Sequence, residues 1–162
     1  MTERFKDLKF KEDLLAFLLE AHQNTYANKK AEKVAPQRLA SEDYEYSSGD
    51  WMYHDTYFGG RDFLGSEIVY KNKIPVWGAN YHGLVLKEQA DINALYDFLR
   101  EALMQEPKDI LPLRGPAYFK RDLWRYEFEV SGDIDDFIGT EKIFKDGELL
   151  YRLKIHGGRI ND

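Results

Sequence analysis

The chain has 162 residues, 43% of them hydrophobic and none of them cysteine. That is enough for one domain-sized core, and it excludes disulfides, thiolate zinc sites and a cysteine nucleophile. Its 23 Lys and Arg are outnumbered by 29 Asp and Glu, a formal charge of -6, which argues against direct nucleic acid binding because neutralising phosphates needs a basic face.

The opening stretch "MTERFKDLKFKEDLL" is charged throughout and carries no apolar segment of signal type. No apolar run approaches the roughly 18 residues of a membrane span. A cytoplasmic protein without membrane association is therefore expected. Residues 10–23 place Phe10, Leu14, Phe17, Leu18 and Ala21 on one stripe, which predicts an amphipathic helix. Residues 27–41 have no period and contain a proline, and read as a long, mobile loop.

From residue 44 to 85 the pattern changes to aromatic, β-favouring segments punctuated by Gly59 and Gly60. Residues 91–104 predict a second helix, with Asp91 as N-cap and Ile92, Leu95, Leu99, Ala102 and Leu103 as its apolar stripe. After the proline-containing "EPKDILPLRGP", strands are expected at 123–130, 137–145 and 148–156. The last two join at "KDG" (145–147), where Asp-Gly suits a type I′ hairpin turn.

Residues 62–85 realign with 136–159 without a gap, a displacement of 74. Asp62, Phe63, Gly65, Glu67, Lys71, His82 and Gly83 fall on Asp136, Phe137, Gly139, Glu141, Lys145, His156 and Gly157. "LLAFLLEA" at 14–21 likewise resembles "LYDFLREA" at 95–102. Shared period and element order predict a tandem duplication of an αβββ unit. Each half is too small to cover its own sheet. The fold class expected is α+β: one domain over 1–162, with halves at about 10–85 and 91–160 related by a pseudo-two-fold. Its sheet should be mainly antiparallel, with two helices packed on it.

Alternation along 123–130 turns Trp124, Tyr126, Phe128 and Val130 inward. The counterpart strand turns Trp51, Tyr53, Asp55 and Tyr57 the same way, so Asp55 stands where the other half has Phe128. A carboxylate on an aromatic face is costly unless it is paired or faces a cavity. Trp77 and Tyr81 fall on that face too, opposite Tyr151 and Ile155 of the second half. Trp51, Tyr53, Asp55, Tyr57, Trp77 and Tyr81 are thus the candidate ligand-binding set, suited to a flat or cationic molecule; their alternative role is plain core.

His82 and His156 fall with charged neighbours on the solvated face, and no H-x-H or H-E-x-x-H spacing occurs, so neither a metal nor a cofactor is expected. Glu67 and Glu141 read as cross-strand partners. No nucleophile elbow is present, no catalytic residue is assigned, and an enzyme using Asp55 or Glu67 with a histidine is the least supported reading.

Gly49, Asp50, Tyr53, Asp55, Tyr57, Gly59 and Gly60, then Phe63, Gly65 and Glu67, then Pro75, Val76, Trp77, Asn80, Tyr81 and Gly83 form a spaced pattern. It resembles a bacterial family of domains of unknown function found alone and C-terminal to XRE-type helix-turn-helix regulators. The resemblance spans about residues 14–158 and implies no catalytic residues. The function expected is small-molecule (effector) binding or sensing on the aromatic sheet face. The alternative is a protein–protein interaction or homodimerisation module accessory to a transcription regulator.

Overall fold

The computed structural model describes residues 3–162; residues 1 and 2 of the charged N-terminal stretch lie outside the described residues. The first helix, α1 (Glu3–Gln23), begins well before the stretch its apolar stripe predicts. Its N-terminal extension has no apolar period and is held by charge instead. Lys9 pairs with Asp13 one turn on, Asp7 reaches Arg159 near the C-terminus, and Lys11 reaches Asp135. The segment between α1 and the first strand contains no helix or strand. It is nevertheless tied down: the Val34 N–H donates to the Asp43 carbonyl (2.9 Å), and Ala27 is buried in the core.

Four strands follow where about three were expected: β1 (Glu42–Ser48), β2 (Trp51–Phe58), β3 (Phe63–Lys71) and β4 (Ile74–Val85). The second helix, α2 (Ile92–Leu103), starts at Asp91, whose side chain accepts from the Ala94 N–H as an N-cap should. Four more strands complete the chain: β5 (Tyr118–Arg121), β6 (Trp124–Asp133), β7 (Asp136–Lys145) and β8 (Glu148–Arg159). The strand not foreseen, β5, is four residues long, pairs only with β6 and follows a proline-rich connection, so alternation had no length in which to appear.

All eight strands form one antiparallel sheet in the order β1-β2-β3-β4-β8-β7-β6-β5. The meander of the first half thus meets the reversed meander of the second across the β4–β8 pair. Local details recur on the two sides of that seam. The β3–β4 register shifts between Val69 and Tyr70, and the β7–β8 register shifts between Ile143 and Phe144. Gly59 (φ 95°) and Gly132 (φ 94°) make the same tight turn, where a Cβ would lie about 2 Å from the carbonyl oxygen of Asp62 or Asp136. Asp146 and Gly147 both have positive φ, as a type I′ turn requires. Asn72 and Lys73 adopt the same conformation in the first half.

Both helices lie on one face of the sheet and bury it. Phe17 of α1 stacks on Trp51 of β2 (5.5 Å between ring centroids), and Lys71 covers that indole at 4.3 Å. Phe98 of α2 stacks on Trp124 of β6 (5.3 Å), with Lys145 over the indole at 4.9 Å. Leu14, Leu18, Leu95 and Leu99 fill the space around these stacks. No described helix is long and apolar enough to cross a membrane.

Candidate functional site

Each half turns one glutamate inward beneath its helix. In the second half, Glu141 of β7 lies opposite Phe128 in register and is 0% exposed. A buried carboxylate is costly unless its lone pairs are filled, and here they are. Arg114 donates to both oxygens (Nη2 to Oε1 at 2.8 Å, Nε to Oε2 at 2.9 Å). The Tyr126 hydroxyl donates to Oε2 (2.6 Å) and the Tyr151 hydroxyl to Oε1 (2.9 Å). Four donors converge on two oxygens around a bidentate ion pair.

In the first half, Glu67 of β3 occupies the matching place and lies opposite Asp55 of β2. Its Oε1 accepts from the Tyr53 hydroxyl (2.7 Å) and meets His22 Nε2 at the end of α1 (3.1 Å). Its Oε2 is buried without a partner among the described residues. The position that holds Tyr151 in the second half holds Trp77 in the first, and no hydroxyl is available from it. The Trp77 indole N–H donates away, to the Ile134 carbonyl (2.9 Å), and its ring stacks on Phe137 (5.7 Å). Among the described residues no arginine forks onto Glu67 as Arg114 does onto Glu141.

Asp55 is 4% exposed, and its hydrogen bond comes from the Tyr81 hydroxyl, at 2.5 Å on Oδ1. Burial first, and then the neighbouring Glu67 charge, push its carboxyl up to about 8, against the weaker pull of Tyr81 and Arg114. Burial would also raise Glu67, but the charge and hydrogen bond of His22 and the hydrogen bond from Tyr53 outweigh it and hold Glu67 below its ordinary value. The pair therefore holds one neutral and one ionised carboxyl near neutral pH. Burial holds the Tyr26 hydroxyl up to about 12 and those of Tyr57 and Tyr96 higher still, so these stay protonated.

Above this pair opens a cavity of about 460 Å³, within the size range of small-molecule sites. Tyr53, Asp55, Glu67 and Tyr81 form its floor, with Leu113 and Arg114 contributed by the segment that precedes β5. Tyr26, Tyr57, Phe63, Tyr96 and Arg100 form the walls, and exposed Lys33, Gly59, Gly60 and Asn93 stand at the rim. Arg100 lays its guanidinium over the Tyr26 ring (4.4 Å) and donates from Nε to the Tyr26 carbonyl (3.2 Å).

Of the six residues singled out from sequence, Tyr53, Asp55, Tyr57 and Tyr81 line this cavity. Trp51 and Trp77 do not. Trp51 is held between α1 and Lys71, and Trp77 is fully buried against Phe137. His22, Arg100 and Arg114 were not foreseen. His22 lies one turn beyond Leu18 on α1, which was a readable signal; Arg114 lies in an aperiodic, proline-rich segment and gave none. Glu67, read as a cross-strand partner, does face Asp55 across β2–β3, but as a second acid rather than a counter-charge.

A fourth buried carboxylate, Asp43, lies outside the cavity. It accepts from Ser41, Thr56 and the Gln37 N–H and meets His54 Nε2 at 2.6 Å; against the upward push of burial, these bonds hold it well below the usual carboxylate range. No group of three or more His, Asp or Glu gathers with metal-binding geometry among the described residues.

Residues 55–160 match the family model described as domain of unknown function (DUF5680). The match covers well over half of the chain, which belongs to that family. No curated protein and no solved structure shows significant similarity to it. The matched region includes Asp55, Glu67, Tyr81 and Arg114 and leaves out His22 and Tyr53.

Proposed function

We propose that this DUF5680 chain binds a small organic molecule in the cavity of its first half, without transforming it, and that Asp55 is the polar anchor. The observation that carries the reading is the unpartnered Glu67 Oε2, buried beside Asp55 in the floor of a cavity of about 460 Å³. Buried polar atoms almost always have partners, so one that lacks them in a cavity wall marks where a ligand group is expected.

The reading gains from the comparison of halves. The recurring register shifts, glycine turns and Phe–Trp–Lys stacks support a tandem duplication with a pseudo-two-fold axis between β4 and β8. In such a duplication one copy keeps the packed arrangement and the other is free to open. Phe128 and Ile155 fill the second copy where Asp55 and Tyr81 stand in the first.

The test is a thermal-shift screen of a metabolite library on the wild type, Asp55→Phe and Asp55→Asn. Anything that binds only the native state raises its stability. Compounds that stabilise the wild type and not Asp55→Phe are expected, with Asp55→Asn altered in rank order. If every stabilising compound acted equally on Asp55→Phe, the cavity would not be the site.

A second reading, homodimerisation or docking of a partner protein, draws on the opposite sheet face. There Leu64 (58% exposed) and Ile138 (63% exposed) occupy matching positions beside His82 and His156. Sedimentation of the wild type against Leu64→Lys is its test, and a monomer at all concentrations would remove the dimer.

A further inference from the structure

We infer that the ligand of this cavity is an organic monocation, an ammonium on an apolar or aromatic body, whose N–H groups are taken by Glu67 Oε2 and the Asp55 carboxyl. The inference rests on reading the cavity as a binding site, and it names the chemical class that site accepts.

The donor and acceptor inventory of the floor decides the class. The Tyr53 and Tyr81 hydroxyls already spend their protons on Glu67 and Asp55. Arg114 has its Nε and Nη2 on Glu141. The atom left without a donor is Glu67 Oε2, and it is buried in a residue 3% exposed. A neutral donor would satisfy the lone pair but leave two acids facing each other in a low-dielectric site. A cation supplies the hydrogen bond and the counter-charge together. An anionic ligand would add a second negative charge beside the ionised Glu67.

The walls agree. Tyr26, Tyr57, Tyr96 and Phe63 surround the pair with aromatic surface, which attracts a cation through the ring faces and accommodates an apolar body. Arg100, on the α2 wall, makes no ion pair among the described residues. Its charge opposes a second cationic group, so polyamines are disfavoured and a single ammonium is selected.

Ionisation of Asp55 is coupled to this binding. The groups facing Asp55 are Glu67 on β3, Tyr81 on β4, Tyr53 and Tyr57 on β2, His22 at the end of α1, Arg100 on α2 and Arg114 before β5, with Asp43 of β1 also raising it. An arriving cation favours the ionised carboxylate, so binding releases a proton into solution when it occurs below the pKa of Asp55, and affinity rises with pH up to about 8.

The experiment is isothermal titration of wild type and Glu67→Gln at pH 6 and pH 8. The probes are 2-phenylethylamine and tryptamine, their alcohol isosteres 2-phenylethanol and tryptophol, and phenylacetate. The amines are expected to bind at least about tenfold more tightly than the alcohols at pH 8, the usual worth of a hydrogen bond to a charged group. They should bind more tightly at pH 8 than at pH 6, with heats at pH 6 that change with buffer ionisation enthalpy. Glu67→Gln should reduce the amines' advantage over the alcohols several-fold, leaving the part that Asp55 carries. If alcohols or phenylacetate bound as tightly as amines, in a manner lost in Asp55→Phe, the cavity would remain a binding site and the ammonium inference would fall. If no probe bound, the compounds found in the library screen would decide: an ammonium-bearing hit supports the inference and a hit without one overturns it. If neither probes nor library gave a compound sensitive to Asp55→Phe, both readings would fall together.

Discussion

The two halves of the sheet carry the same buried glutamate and finish it in opposite ways. Around Glu141, an arginine fork and two tyrosine hydroxyls fill every lone pair, and Phe128 closes the space alongside. Around Glu67, the tyrosine position is Trp77, the phenylalanine position is Asp55, and in place of the arginine fork His22 touches one oxygen. The lesson is that a recurring residue marks scaffold, and that function is sought in what surrounds it. Three changes around a constant glutamate separate a closed core from an open, acidic, aromatic-walled cavity.

The largest expected effect breaks the closed half. Arg114→Met leaves Glu141 buried without its counter-charge, and urea denaturation should record a loss of about 3–5 kcal/mol. His22→Gln, which removes the imidazole beside Glu67 in the open half, should cost less than half of that, because Glu67 borders a cavity that water can enter. Equal losses would mean the halves are electrostatically alike.

Per pH unit, the pH dependence of the open half is the next effect in size. Asp55 has a folded pKa of about 8 against an unfolded value near 3.9, so the native state holds one proton more between those limits. Stability should therefore fall as pH rises from about 4 to about 8, by up to about 1.4 kcal/mol per pH unit from this group. Asp55→Asn should flatten that part of the profile and be more stable than wild type at pH 8. An unchanged slope in the variant would place the titration elsewhere.

Asp55→Phe, which copies Phe128 into the open half, should gain about 1–2 kcal/mol at pH 8 by removing the strained acid and burying apolar surface in the cavity. The expected gain is read as a higher denaturation midpoint at unchanged slope. A loss instead would mean that the first half is packed too tightly to accept its partner's residue. The smallest effect concerns the hairpin turns. Lys73 (φ 67°) stands where the second half has Gly147 (φ 78°), so Lys73→Gly should stabilise by about 0.5–1 kcal/mol in a thermal melt, relief of left-handed strain outweighing glycine's added entropy.

Much of this contrast was legible in the sequence. The displacement of 74 located Glu67 and Glu141, and alternation along β2 and β6 exposed the exchange of Phe128 for Asp55. Period-2 and helical spacing worked because each such element buries one continuous face. The spacing did not reveal the seven-residue start of α1, which charge pairs hold, nor the short edge strand β5. Nor did it separate Trp51 and Trp77 from the tyrosines, since cavity wall and packed core share the same alternation, and only the partners of each ring decide. Arg114 was invisible because its role depends on the path of an irregular segment rather than on a period.

The contrast is tested most directly by a carboxyl ¹³C NMR titration of the wild type beside Asp55→Asn. One carboxyl resonance is expected to titrate near 8 and to be missing from the variant. If every carboxyl in the wild type titrated below about 5.5, the ordinary range for Asp and Glu, Asp55 and Glu67 would not form a strained pair, and the account of the open half would be contradicted.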